Sequence, residues 1–444
     1  MRNYLAFVLL IVLFVYSCKK DTPVFQETDL ELKTLIAEKS PTGELNYFAF
    51  PVNDLSKIPQ DPNNPLTEEK IELGKLLFHE VGLHSNSRYG WGNNTVSCAS
   101  CHHAGAGFYA GRNQSIGEGG IGFGLNGETR SLNPAFEIDS MDLPPIKSPT
   151  TLNIAYHKVL LWSGMAGSSG VNLGTISLWN TDTLVAQNIK GFEGAETQAL
   201  IALRVHRMWI TEQLITDLGY KTSFDNVFSN YPISERYSNE TVAMAIAAYE
   251  RSQLTTEAPF QKWLNGDVHA LTENQKVGAE LFFGKANCVS CHSGPNLASD
   301  TFHAMGMQDL QGNDITISDW DAFAMTAIGR GSFMQDPAYR YQFKVPQLYN
   351  LKDNQFYGHG GSHTSIYSIV RYMLEGQSEN LGIPVLSDRF NSVSYSNEEL
   401  NSLVDFIENG LYDNNLVRFV PSSLPSGNCF PNADTLSKQD LNCN

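Results

Sequence analysis

Positive charge is scarce in this 444-residue chain, where 30 lysines and arginines face 47 aspartates and glutamates, for a formal net charge of −17. Such a chain repels the phosphate backbone of nucleic acid, which argues against that partner, and it suits either plain solubility or attraction of a basic protein. The glycine-rich stretch Gly105 to Gly127 has no lysine and no Gly-Lys-Ser/Thr pattern. Nucleotide binding is therefore a poor reading, and a pliable loop beside a cofactor is the better one. Strict period-two alternation is rare, so the expected class is mostly α with long loops. No apolar run is long enough for a bilayer span. The run Tyr4 to Tyr16, after Arg2, falls short of the roughly 20 residues needed, and residues 1–17 read as an export signal.

Cysteines are few, seven in all, and they sort without remainder into Cys18, Cys98 with Cys101, Cys288 with Cys291, and Cys429 with Cys443. Val15-Tyr16-Ser17-Cys18 resembles a bacterial lipoprotein cleavage box, which would make Cys18 a lipidated N-terminus at a membrane surface; an ordinary signal followed by an incidental cysteine is the plainer alternative. Either way the protein is expected outside the cytoplasm, in the periplasm or cell envelope. There Cys429 and Cys443 most simply form a disulfide, worth about 3 kcal/mol to the tail 421–444.

After Cys18, prolines at 41, 51, 59, 62 and 65 mark residues 18–60 as a lipidated tether and irregular lead-in. A helix is expected from Thr67, with Glu68 and Glu69 in its first turn and Ile71, Leu73, Leu76, Leu77 and Phe78 on its apolar face. It leads toward Cys98-Ala99-Ser100-Cys101-His102. A second helix, capped by Thr272 and Gln275, leads into Cys288-Val289-Ser290-Cys291-His292. Both segments begin Leu-Thr-Glu and continue through Gly and Leu-Phe, as an internal duplication would. Further helices follow from the spacing of Val242, Ala245, Ile246 and Tyr249, and of Leu400, Leu403, Val404, Ile407 and Leu411. The domains are expected at 61–258 and 259–420.

Cys-x-x-Cys-His lets two thiols add to the vinyl groups of one haem while the histidine coordinates its iron. It occurs twice, so two covalently bound c-type haems are expected, held by Cys98, Cys101 and His102 and by Cys288, Cys291 and His292. A four-cysteine zinc site or a redox Cys-x-x-Cys would leave both histidines unexplained. An iron with one protein ligand keeps a position open for peroxide, whereas a second strong ligand suits electron transfer. For the second haem, Met305, Met307, Met325, Met334 and Met373 are all candidates on residue type.

Phe343-Lys344-Val345-Pro346-Gln347-Leu348-Tyr349-Asn350, then Tyr357-Gly358-His359-Gly360-Gly361-Ser362, resembles the C-terminal haem domain of bacterial di-haem cytochrome c peroxidases and their MauG-like relatives. With both haem motifs and Ser148-Pro149-Thr150-Thr151-Leu152-Asn153 before Leu161-Trp162, the resemblance covers roughly residues 60 to 415 in family order. It implies two cytochrome c-like domains, an N-terminal peroxidatic haem and a C-terminal electron-transfer haem. It also implies Met373 as that second haem's other ligand, Tyr372 being the weaker alternative. Trp162 matches the tryptophan between the haems, with core packing as the alternative, although the family's following Asp-Gly-Arg reads Ser163-Gly164-Met165 here.

Where the family carries an acid/base glutamate, this chain reads Gln198-Ala199-Leu200-Ile201-Ala202-Leu203-Arg204-Val205-His206-Arg207-Met208. His206 falls near that place as a proton carrier, a ligand of the first iron, or a core histidine, with Glu193 and Glu196 as substitutes. No histidine between His103 and His157 can cover the first iron, and His103 reads as a surface or haem-edge residue. The family's inter-haem calcium is held partly by an asparagine that is Lys147 here. Calcium is therefore disfavoured, with carbonyls near Asn354 to Phe356 as its remaining ligands. The resemblance implies hydrogen peroxide as substrate and a small cytochrome or copper protein as electron donor. The alternatives are a MauG-like oxidase of a partner's residues and a di-haem electron carrier. A homodimer is compatible with the sequence, which does not fix the oligomeric state.

Overall fold

The computed structural model describes residues 27–443, so the expected export signal and Cys18 lie outside the described residues. Among the described residues no helix is long and apolar enough to cross a membrane. The chain opens with α1 (Glu27–Lys39). Leu32 and Ile36, one turn apart, are fully buried, and the buried Asp29 accepts from the Trp263 indole at 2.7 Å and from Lys276 at 3.2 Å. The tether expected over residues 18–60 is thus corrected: 27–39 is a docked helix, and Phe48 and Phe50 beyond it are buried too. The prolines that made the segment look irregular all lie after this helix.

Around the first cysteine motif pack α2 (Glu68–His79), α3 (Gly194–Val205) and α4 (Asn239–Ser252). Thr67 caps α2 by accepting from the Lys70 amide at 3.2 Å. Leu73, Leu77 and Phe78 of α2, Leu200 and Leu203 of α3, and Val242, Ile246 and Tyr249 of α4 share one buried cluster. Around the second motif pack α5 (Glu273–Phe283), α6 (Ile366–Glu375) and α7 (Asn397–Asp405). Phe282, Phe283, Val370, Leu374, Leu400 and Leu403 share a second cluster, which α1 completes through Leu32 and Ile36. Among the described residues the strands are two antiparallel pairs of two residues each, Gly120–Ile121 with Ser131–Leu132 and Phe302–His303 with Phe343–Lys344. The class is mostly α, as expected.

Each motif helix crosses its partner at a glycine placed three residues before Leu-Phe. A Cβ on Gly74 would stand 1.8 Å from the Ala245 carbonyl oxygen of α4, and one on Gly278 would stand 2.1 Å from the Ser402 carbonyl oxygen of α7. Both obstacles are backbone, so the duplicated glycine is what lets the helices meet.

The chain's ends cross over: α1 braces the second half, and the tail after residue 420 braces the first. Ser426 and Asn428 hydrogen-bond Glu80 at 2.6 and 2.7 Å, Ser97 donates to the Pro431 carbonyl at 2.8 Å, and Asp434 pairs with Arg130 at 3.2 Å. The disulfide Cys429–Cys443 is present. Arg130 also donates to the carbonyls of Ile116, Gly117 and Gly122, so the glycine-rich stretch expected to be pliable is fastened from within.

Gly74→Ala should lower unfolding stability by about 1–3 kcal/mol, the usual range for overpacking. Urea unfolding followed by far-UV circular dichroism measures it. An unchanged midpoint would mean that the α2 and α4 backbones are not in contact.

Candidate active site

Both Cys-x-x-Cys-His motifs fold as a single 3-10 turn, Cys98–Ser100 and Cys288–Ser290, and the histidine amide bonds back to the first cysteine's carbonyl, at 3.1 Å for His102 and 2.9 Å for His292. This turn sets the ring beside the two thiols. Nδ1 of His102 then meets the Phe108 carbonyl at 3.2 Å, and Nδ1 of His292 meets the Leu297 carbonyl at 3.0 Å. A carbonyl only accepts, so Nδ1 carries the proton in each ring and Nε2 keeps the lone pair that a metal needs. Burial pushes both rings down to about 4, which keeps them neutral.

The donor set fits covalent haem and neither competitor. The four thiols are free, and burial pushes Cys101 up to about 11 and Cys288 up to about 12, the reverse of the lowered thiol of a disulfide oxidoreductase. Among the described residues no three or more His, Cys, Asp or Glu side chains gather as a metal site, so the two pairs do not combine around zinc.

His206 is the C-cap of α3, and the next residue, Arg207, takes the left-handed conformation at φ 57°. This turn ends the helix and aims both side chains at the loop holding Glu118 and Asp142. His206 Nδ1 lies 2.5 Å from Asp142 Oδ2. Burial alone would depress the imidazole, but the Asp142 carboxylate outweighs it and the ring's pKa is raised. The position at a helix C-terminus also favours the cation. Arg207 pairs with Glu118, which further accepts from Ser87, from the Arg88 amide at 2.9 Å and from His84 at 3.3 Å. Burial would raise Glu118, yet these donors hold it at about 2. The result is a fixed anion beneath a fixed arginine.

Glu193 and Glu196 are not substitutes for the missing glutamate. Glu196, with no exposed surface, is held by Arg251 at 2.7 and 2.9 Å and by Asn64 at 3.0 Å, while Glu193 pairs with Lys158. His157 is committed as well, to Asp300 at 2.7 Å and Asn296 at 3.2 Å. The surface alternative for His103 is corrected: it is 6% exposed, with its ring 4.9 Å from Phe123, and burial pushes it down to about 4.

Of the five candidate methionines, Met325 is 51% exposed and Met334 packs with Trp179 and Phe333 in a separate cluster. Met305, Met307 and Met373 gather with Tyr372 and Phe390. This cluster adjoins the second motif: His303, two residues before Met305, lies 3.7 Å from the Cys291 sulfur and 2.9 Å from Ser387. Tyr372 donates its hydroxyl to the Met305 carbonyl at 2.6 Å, which commits the phenol and weakens it as an alternative ligand to Met373.

Trp162 sits where the two halves meet. Its indole donates to the Lys147 carbonyl at 2.7 Å, and its own carbonyl accepts from the Lys344 amide at 2.9 Å. The indole lies 6.5 Å from Phe343 and 6.3 Å from His359, and those two rings stack on each other at 3.6 Å. Two of the carbonyls suggested for calcium each accept a hydrogen bond, that of Asn354 from the Tyr357 hydroxyl at 2.6 Å and that of Phe356 from the Asn354 side-chain amide. Lys147 in place of the asparagine removes an oxygen ligand and sets a buried, unpartnered amine there, a residue that does not fit calcium.

Asp142 and Glu118 are absent from the sequence reading. Asp142 lies 64 residues from His206 in a segment with no periodicity. Its one local sign is a carboxylate set between Met141 and Leu143, an acid in an apolar context.

A family model described as di-haem cytochrome c peroxidase matches residues 68–269. The methylamine utilization protein MauG of Methylorubrum extorquens is 30% identical over 354 residues, covering 79% of this chain and 80% of that protein. Cytochrome c peroxidase Ccp of Escherichia coli K12 is 30% identical over 317 residues, covering 70% of this chain and 54% of that protein. Among solved structures, a MauG-like protein associated with microbial copper homeostasis aligns with a TM-score of 0.55 at 24% identity, over 83% of this chain and 97% of that one, a likeness of fold.

Replacing both Cys288 and Cys291 by alanine should leave one covalently attached haem. Intact mass and haem-stained gels read the number directly, and two retained haems would contradict the assignment.

Proposed function

We propose that this chain, which belongs to the MauG-like di-haem cytochrome c peroxidase family, reduces hydrogen peroxide to water with electrons from a small donor protein. When bound, the haem at His102 supplies the iron that takes peroxide, and the haem at His292 and Met373 supplies the route by which electrons arrive. The residues 61–258 and 259–420 are the peroxidatic and electron-transfer domains in this reading. The observation that carries it is the hydrogen bond between His206 and Asp142 beside the first motif.

The overall reaction joins one peroxide, two electrons and two protons into two waters. One of those protons must reach the departing oxygen as the O–O bond breaks. Asp142 favours the imidazolium of His206, and its bond to Nδ1 leaves Nε2–H as the donor. His206 hands that proton over, the departing oxygen leaves as water, and the ring recovers a proton through its 33% exposed face. Arg207, fixed by Glu118, adds positive charge on the same side, where developing negative charge is stabilised. Trp162 holds its indole between the halves as the candidate electron conduit.

One observation weighs against a competing reading. Tyr372 gives its hydroxyl to the Met305 carbonyl, which argues against the tyrosine ligation of a MauG-like oxidase. The formal charge of −17 suits a basic donor, either a small cytochrome or a copper protein. We assign the protein to the periplasm or cell envelope, with a lipid on Cys18 holding it at a membrane surface.

Stopped-flow mixing of peroxide with the half-reduced holoprotein, followed by steady-state oxidation of a reduced small cytochrome, tests this function. His206→Ala should lower kcat by about 10²- to 10⁴-fold with both haems retained. The raised pKa of His206 places loss of its proton on the alkaline side, so kcat falls as pH rises through it. In Asp142→Asn burial acts on the ring unopposed, and that alkaline limb moves to lower pH. Full turnover in His206→Ala, or an unmoved limb in Asp142→Asn, would remove His206 from proton delivery. No turnover of any donor by the wild type would sink the peroxidase reading.

A further inference from the structure

Among the described residues the buried cations have hydrogen-bond partners, with one exception. Lys70, Arg130, Arg251, Lys276 and Arg330 each reach an acceptor, and Lys344 reaches His157 Nε2 at 3.3 Å. Lys147, 2% exposed, has none for its Nζ. The amine lies 4.3 Å from the centroid of the Tyr109 ring, whose face offers only partial compensation for the lost water. Burial accordingly pushes it down to about 7.

The backbone of Lys147 is tied to both halves of the molecule. Its amide donates to the His359 carbonyl at 3.0 Å, and its carbonyl holds the Trp162 indole at 2.7 Å. Three residues on, Thr150 donates to the Gly107 carbonyl at 2.7 Å, inside the short loop that runs from His102 to Tyr109. The amine is therefore delivered to the seam between the haem motifs, on the side of the first. This is also the position at which calcium does not fit.

We propose that the Lys147 ammonium is itself the inter-haem cation of this protein, and that it pairs with a propionate carboxylate of the haem attached at Cys98 and Cys101. The proposal rests on haem attachment at that motif, and not on peroxide turnover. The propionates are the only ionised groups haem c brings, and a buried lysine amine between two such groups stays charged when one of them pairs with it. A paired positive charge there favours the reduced haem and raises its potential. It also makes an added divalent cation redundant.

The test is spectroelectrochemical titration of the holoprotein at pH 7, wild type against Lys147→Met and Lys147→Arg, with calcium content and calcium binding measured after dialysis against a chelator. The midpoint potential of the haem at Cys98 should fall in Lys147→Met and stay near the wild-type value in Lys147→Arg. Wild-type protein should hold no stoichiometric calcium, and added calcium should leave both potentials unchanged. Unchanged potentials in Lys147→Met would overturn the pairing. A tight calcium site in the wild type, whose emptying shifts a potential, would overturn the proposal without recourse to any variant. If the Lys147→Met shift appears but peroxide is not turned over, the peroxidase reading fails and this inference stands.

Discussion

An imidazole can offer iron only one of its nitrogens, and in this protein two backbone carbonyls decide which. Phe108 and Leu297 each take the Nδ1 proton of the motif histidine, leaving Nε2 for the metal. Those carbonyls belong to short loops that work only if the turns before them are rigid. The turns in turn rest on α2 and α5, each brought against its partner helix at a glycine where any side chain would strike backbone. The duplicated Gly and Leu-Phe pattern is the sequence trace of that one requirement, met twice.

The two halves differ in the side chains gathered near each motif. The first has charge: His206 with Asp142, and Arg207 with the Glu118 hub, assembled by a left-handed turn at the end of α3. The second has soft side chains, Met305, Met307 and Met373, with Tyr372 committed to a carbonyl. A polar, proton-bearing environment suits chemistry on peroxide, and a sulfur-rich one suits electron transfer, so in the proposed reading the division of labour lies in the side chains rather than in the fold. Between them the seam carries Trp162 and the buried Lys147, and the crossed chain ends brace the whole, α1 on the second half and the disulfide-closed tail on the first.

Features set by local chemistry were legible in the sequence. Covalent attachment demands a fixed spacing, so the haem motifs stood out, and helix caps at Thr67 and Thr272 were readable because capping is local. What depends on distant partners was hidden. Asp142 carries no mark of its bond to His206, and Glu196 looks available until Arg251 is seen around it. α1 was lost because the apolar residues seen buried on it are just Leu32 and Ile36, beside the acid Asp29, and a proline-rich stretch follows. The burial of His103 was hidden for a similar reason, since the Phe123 ring that covers it comes from a loop that composition alone presented as pliable.

The central claim is that His206 is a proton carrier held by Asp142 and does not bind the first iron. Electron paramagnetic resonance of the resting ferric holoprotein tests it most directly. One high-spin signal from the haem at Cys98 beside a low-spin signal from the haem at Cys288 is the predicted result. Two low-spin signals, with that of the first haem lost on His206→Ala, would mean that His206 is a ligand and would contradict the account.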